Sequence, residues 1–135
     1  MDRFALVNWL SVAVAAAAAF VIGGLWYGPL FGKAWMRLSG VTRNNAAGPG
    51  MALTFGSAYV LNFIAATGIA TVSGDRAGIW FPLHTGLLSA VFFIAPALGV
   101  IYLFEQRPLR LWCINAGYQV LNFSAMGAVI GAWPR

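Results

Sequence analysis

Long apolar stretches alternate with short polar segments along the whole chain. Four stretches carry no charged residue: 4–32, 44–74, 77–104 and 111–134. A helix needs about 20 predominantly apolar residues to cross the hydrocarbon core of a bilayer. Each stretch exceeds that length and little chain is left between them, so the pattern predicts one integral membrane domain over residues 1–135. The predicted spans are residues 4–32, 51–72, 78–104 and 109–133, each to within a few residues.

Two prolines interrupt these predicted helices. Pro29 lies near the end of the first span and Pro96 lies inside the third. Proline has no backbone N–H and its ring collides with the preceding turn, so the pattern predicts kinks near both residues. The predicted fold class is all-α: a polytopic membrane protein built as a four-transmembrane-helix bundle. After Pro29 we expect a short interfacial segment over 30–38 that stops at Gly40, followed by a loop over 42–50.

Composition excludes several classes of protein. Hydrophobic residues make up 61% of the chain and charged residues only 8%. Soluble domains average about 45–50% apolar and about 25% charged residues. The composition therefore rules out a soluble enzyme, a nucleic-acid-binding protein and a disordered chain. The expected surroundings are membrane lipids, with no nucleic-acid partner.

The basic residues predict an orientation. The chain has eight Lys and Arg and only three Asp and Glu. Five of the eight basic residues lie in two loops on the same predicted side of the membrane: Lys33, Arg37, Arg43, Arg107 and Arg110. The other side holds Arg3, Arg76 and Arg135. Because Lys and Arg concentrate in cytoplasmic loops, we expect both termini outside the cytoplasm. None of the six tryptophans lies mid-span, as expected of residues that prefer the headgroup level.

Polar residues inside the predicted spans form one stripe. Asn115, Tyr118, Gln119 and Asn122 recur at spacings of three and four, so they share a face of the fourth helix. Asn62, in the second span, falls near the same mid-membrane depth as Asn122. Two interpretations stay open: the amides join helices by hydrogen bonds, or they line a small polar pathway.

Candidate chemistry outside this stripe is sparse. His84 is the single histidine and is predicted within about two turns of the outer surface. It is either a functional titratable group or an interfacial side chain bonded to a backbone carbonyl. Cys113 is the single cysteine, so no intrachain disulfide forms. Glu105 is expected to pair locally with Arg107 or Arg110 at the end of the third span. We expect no catalytic residue, cofactor or metal site.

Two segments resemble a known family. Residues 24–36 contain Trp26, Tyr27, Pro29, Lys33 and Trp35, and residues 103–118 contain Glu105, Arg107, Pro108, Asn115 and Tyr118. These segments are similar to two signatures of small bacterial membrane proteins catalogued as domain of unknown function 1761. The resemblance implies a multi-pass protein of the bacterial cytoplasmic (inner) membrane and no specific activity. It also marks those residues as candidate site residues, and suggests that Lys33 approaches Glu105 with Arg107 nearby.

Three functional classes follow. We favour a non-enzymatic structural or accessory subunit of a membrane assembly, because small-residue faces are abundant and recognisable catalytic motifs are lacking. The alternative is a homo-oligomeric channel or facilitator for a small solute, lined by the polar residues of the fourth helix. The third class is an enzyme or redox partner that uses His84 or Glu105. Polar residues paired within one chain would favour the first class, and polar residues facing a subunit axis the second.

Overall fold

The computed structural model describes residues 7–40, 51–74 and 78–134, and every regular element in these ranges is helical. The predicted all-α class is therefore confirmed for the described part of the chain. The α-helices are α1 (Trp9–Leu25), α2 (Gly32–Ser39), α3 (Met51–Ser73), α4 (Trp80–Ser89), α5 (Ala95–Phe104) and α6 (Leu109–Ala132). The start of the first predicted span (4–6), the loop at 42–50, and Arg3, Arg43, Arg76 and Arg135 lie outside the described residues.

Local sequence signals account for both ends of the first helical segment. The Asn8 side chain accepts hydrogen bonds from the backbone N–H groups of Leu10 and Ser11, each at 3.1 Å, and so caps α1. Helix α2 ends at Gly40, whose φ of 80° lies in the left-handed region and whose N–H donates to the Met36 carbonyl at 3.0 Å. Glycine reaches that region without steric cost, and the predicted stop at Gly40 is confirmed.

Two π-helical turns occur beside the prolines. The first π turn (Trp26–Leu30) contains Pro29, and the second (Ala90–Ile94) ends two residues before Pro96. In the first, the Phe31 N–H donates to the Trp26 carbonyl at 2.8 Å, five residues back. Because proline crowds the carbonyl four residues earlier and offers it no donor, a wider turn accommodates the ring. A bend in the helix axis at these turns stays a prediction.

Within residues 7–40, 51–74 and 78–134, three helical segments are long and apolar enough to cross a membrane: Trp9–Leu30, Ala52–Ser73 and Trp80–Phe104. These match the first three predicted spans. Helix α6 has 24 residues, which is about 36 Å at 1.5 Å per residue. It is therefore long enough as well, but its Asn, Gln, Ser and Tyr side chains make it less apolar than the other three. A membrane crossing by α6 stays a prediction.

Glycines let α6 and α4 approach backbone to backbone. A Cβ on Gly127 would collide with the Pro82 carbonyl oxygen, and one on Gly86 would collide with the Phe123 carbonyl oxygen. Residue numbers rise along one helix as they fall along the other, so the two helices run antiparallel. Close approach of this kind is the usual way in which helices associate in lipid. Gly127 and Gly131 therefore both lie at close contacts within one chain.

The apolar core lies where α1, α3 and α6 meet. Val12 and Ala15 of α1 are fully buried together with Ala66 of α3 and Met126 of α6. The Tyr59 hydroxyl of α3 also donates to the Ala13 carbonyl of α1 at 2.9 Å. Alanines at the core positions of α1 keep the helices close, because they fill little space and lose no side-chain entropy.

Candidate functional site

Asn115 is the centre of an aromatic–amide cluster, which comprises Trp26, Tyr27, Tyr102, Asn115 and Tyr118. The Tyr27 hydroxyl donates to Asn115 Oδ1 at 2.6 Å. Asn115 Nδ2 in turn donates to the Tyr102 hydroxyl at 2.7 Å. One amide therefore joins the first π turn, α5 and α6. The two sequence motifs, which lie far apart along the chain, meet at this residue.

Trp26 attaches the first π turn to α6 beside this amide. Its Nε1 donates to the Ile114 carbonyl at 3.0 Å. Its ring lies over Gly117, where an added Cβ would stand 3.1 Å from Trp26 Cζ2. The wide turn places consecutive side chains, Trp26 and Tyr27, on consecutive residues of α6. A half-buried indole N–H and phenol O–H thereby both find acceptors.

Two further aromatic residues complete the cluster and its rim. The Tyr118 ring lies 5.2 Å from the Tyr27 ring, and its hydroxyl donates weakly to the Ala19 carbonyl at 3.4 Å. The Trp35 ring of α2 meets the Tyr27 ring edge-on at 5.4 Å. Edge-on and tilted contacts suit the quadrupoles of aromatic rings. Helix α2 is thus held against the cluster through Tyr27.

The turn between α5 and α6 pairs Glu105 with Arg107. Arg107 Nε lies 2.8 Å from Glu105 Oε1, with both side chains about half exposed. Gln106 between them has a φ of 58°, which folds the chain back and brings its two neighbours together. An exposed pair of this kind adds little stability, typically about 0–1 kcal/mol. Arg107 Cζ also lies 5.3 Å from the centroid of the Tyr102 ring.

Among the described residues the Glu105 carboxylate pairs with Arg107 and not with Lys33, and the predicted approach of Lys33 to Glu105 stays a prediction. Lys33 is exposed and lines a cavity of about 470 Å³ with Gly28, Pro29 and Leu30. The physical reason is local: the left-handed turn at Gln106 offers Glu105 a cation two residues away.

A second polar contact lies further along α6. Asn122 Nδ2 donates to Asn62 Oδ1 at 3.2 Å, and Asn62 Nδ2 donates to the Ala58 carbonyl at 3.1 Å. Asn122 is only 1% exposed, and its Oδ1 has no partner among the described residues. The predicted common depth of Asn62 and Asn122 is consistent with this contact. Gln119 is half-buried and makes no hydrogen bond with any residue that the structure describes.

His84 lies apart from the cluster, near the start of α4. The ring is exposed, and its Nδ1 lies 2.8 Å from the Trp80 carbonyl, where a protonated Nδ1 donates. The contact with a backbone carbonyl agrees with the second of the two interpretations of His84, and its position at the membrane interface stays a prediction. Within residues 7–40, 51–74 and 78–134, no three His, Cys, Asp or Glu side chains gather into a possible metal site.

The chain matches a known protein family over most of its length. A family model described as "Protein of unknown function (DUF1761)" matches residues 10–131, a range that contains both motifs and the whole cluster. The chain belongs to this family. No curated protein and no solved structure matches it. Membership confirms the resemblance found in the two motifs and carries no activity with it.

Sequence reasoning missed two members of the cluster region. Tyr102 accepts the Asn115 hydrogen bond, and Gly117 makes room for the Trp26 ring. Neither had a distinguishing sequence signal, since tyrosine near a predicted span end and glycine within a span are both common in membrane helices. One indication was available for Tyr102. It lies three residues before Glu105, at the end of the span that precedes the helix of Asn115.

Proposed function

We propose that this protein is a non-enzymatic integral membrane protein, folded as a bundle of four transmembrane helices, that acts as a structural or accessory subunit of a membrane assembly. One observation carries the proposal: the two buried or half-buried asparagines of α6 bond to other helices of the same chain. Asn115 bonds to Tyr27 and Tyr102, and Asn122 bonds to Asn62.

These contacts also support α6 as the fourth span. In lipid a polar group without a partner is costly, so amides on a membrane helix point towards partners on neighbouring helices. Leu109 and Leu121 lie on the outside of α6 with 73% and 46% of their surface exposed, where lipid tails would cover them. A polar inner face with an apolar outer face is what a fourth transmembrane helix requires.

The placement of the ionisable groups supports a non-enzymatic role. Glu105 is engaged by Arg107, and His84 is bonded to its own helix. His84 and Glu105 are separated by 21 positions, which corresponds to about 30 Å along a helical segment. General acid–base catalysis needs both groups within hydrogen-bond reach of one substrate. His84 and Glu105 are too far apart to act as such a pair within one chain.

A second candidate function rests on Gln119. This half-buried amide has no partner among the described residues, so it is available to a second copy of the chain. A homo-oligomeric channel or facilitator for a small solute would use it at a subunit interface. For either function we propose the bacterial cytoplasmic membrane, with the Lys33 and Arg107 ends of the helices inside and both termini outside.

Cysteine labelling separates the two functions. In a Cys113→Ala background reconstituted in liposomes, Gln119→Cys should resist a charged, membrane-impermeant thiol reagent, whereas Lys33→Cys at the exposed end should react readily. A helix whose polar face lines water would give comparable rates at both positions. That outcome, together with solute flux through the wild-type protein, would replace the structural proposal with the channel.

Native mass spectrometry of the protein extracted with its surrounding lipid tests the accessory role. We expect larger membrane subunits at a fixed stoichiometry with the wild-type chain. A homo-oligomer free of other subunits, obtained under the same gentle extraction, would contradict an accessory role and direct attention to Gln119→Ala, which should then dissociate it.

A further inference from the structure

An apolar cleft opens between α5 and α6 beside the Glu105–Arg107 turn. Its volume is about 250 Å³, and its lining comprises Gly99, Tyr102, Leu103, Arg107, Leu109 and Trp112. We propose that this cleft binds one anionic phospholipid, with an acyl chain along the apolar walls and the phosphate on Arg107. The inference rests on the membrane placement proposed above, and it is independent of the accessory role.

The shape of the cleft follows from Trp112 and Gly99. Trp112 Nε1 donates to the Ala95 carbonyl at 2.9 Å, which holds the indole against α5. A Cβ on Gly99 would stand 3.2 Å from the same nitrogen, so the absent side chain lets the indole lie close to the helix. The ring then forms the floor of the cleft and the largely exposed Leu103 and Leu109 its sides. A cavity of about 150 Å³ already holds a benzene molecule, so this cleft has room for part of an acyl chain.

Charge at the mouth selects the headgroup. Glu105 engages Arg107 through Nε, which leaves the two terminal guanidinium nitrogens for another acceptor. The Tyr102 ring lies under the guanidinium and limits its positions. Arginine binds phosphate oxygens with two parallel N–H donors, a geometry that lysine lacks. With Glu105, Arg107 and Arg110 together, the turn carries one net positive charge, which an anionic headgroup neutralises.

The apolar lining distinguishes a phospholipid from a soluble phosphate. Five of the six lining residues offer no charge, and a free phosphate would use none of that surface. A lipid uses both parts, because its phosphate and its first methylenes lie at the depth where a transmembrane helix ends. Basic pockets between helices at the cytoplasmic side are a common form of anionic-lipid site.

The test measures binding of the first lipid to the full-length protein in detergent micelles by native mass spectrometry. Phosphatidylglycerol and phosphatidylcholine with identical acyl chains are the probes. We expect wild-type protein to bind phosphatidylglycerol about tenfold more tightly, because both lipids offer a phosphate but the positively charged choline of phosphatidylcholine is repelled by the net positive turn. Equal affinities for the two lipids would overturn the proposal, as would displacement of phosphatidylglycerol by millimolar inorganic phosphate.

Matched variants assign the effect to Arg107. Arg107→Gln alone would leave the Glu105 carboxylate unpaired, so the comparison is Glu105→Gln against the double variant Glu105→Gln/Arg107→Gln. The single variant should bind phosphatidylglycerol at least as tightly as wild type, and the double variant about tenfold more weakly. Arg110→Gln removes the same charge outside the cleft and should change affinity less than about twofold. An equal loss in Arg110→Gln would show non-specific attraction and refute the site.

Circular dichroism of each variant measures its helix content, so that a loss of lipid binding caused by misfolding is recognised. If the double variant loses helix, Gly99→Leu provides the second arm, because its side chain would occupy the space against the Trp112 ring while every charge remains. Weaker binding of phosphatidylglycerol in that folded variant supports the cleft, and unchanged binding contradicts it. The two proposals fail separately. Extraction without other subunits would contradict the accessory role, whereas lipid affinities that follow these expectations would still support the lipid site.

Discussion

Replacement of Asn115 by leucine should weaken the contact between the first π turn, α5 and α6. The substitution keeps roughly the same volume and removes hydrogen bonds of 2.6 Å to Tyr27 and 2.7 Å to Tyr102. Interhelical hydrogen bonds in membranes contribute about 0.6–2 kcal/mol each, so two of them predict a loss of about 1–4 kcal/mol. Tyr27→Phe removes one of the two bonds and should cost about half as much.

A double-mutant cycle tests whether the hydrogen bond itself is responsible. Reversible unfolding in mixed detergent–dodecyl sulfate micelles, followed by helical circular dichroism, gives the free energy of unfolding for each variant. Because Tyr27 and Asn115 share one bond, the double variant should cost about 0.6–2 kcal/mol less than the sum of the single variants. The pair Tyr27→Phe and Asn62→Leu, which share no bond, is the additive control. A coupling below about 0.3 kcal/mol for Tyr27 and Asn115 would refute the central role given to Asn115.

Two further substitutions test the packing and the turn. Gly127→Leu would drive a side chain into the Pro82 carbonyl and should destabilise the same unfolding transition by about 3 kcal/mol or more. Gly56→Leu, where an added Cβ has nothing within 4 Å, should leave the transition unchanged or stabilise it by up to about 1 kcal/mol. Equal effects would contradict a close α4–α6 crossing. Gln106→Gly relieves a positive φ of 58° and should stabilise the chain by about 1 kcal/mol, while destabilisation would argue against the left-handed turn.

Much of the candidate site was visible in the sequence as separate pieces. Tyr27 and Asn115 belonged to two distinct motifs, and the spacing of Asn115, Tyr118 and Asn122 predicted a shared face. Their partners were harder to predict, since a hydrogen bond across 88 residues depends on how two helices are rotated about their axes. Lys33 shows the converse: the family resemblance suggested that it approaches Glu105, but the left-handed turn at position 106 pairs Glu105 with Arg107, a cation two residues away.

The sequence by itself determined the helical fold class, the approximate ends of the helices and the sites where prolines interrupt them. These depend on local quantities: apolar length, a capping asparagine at position 8, a glycine at position 40, and the missing N–H of proline. Only the tertiary structure decided which faces meet. The approach of Gly127 to Pro82, the bond from Asn115 to Tyr102 and the cleft beneath Arg107 all require residues from separate helices to reach one place. Periodicity along one helix predicts which residues share a face, but it does not predict which helix packs against that face. Packing in lipid depends on the shapes of both helix surfaces at once.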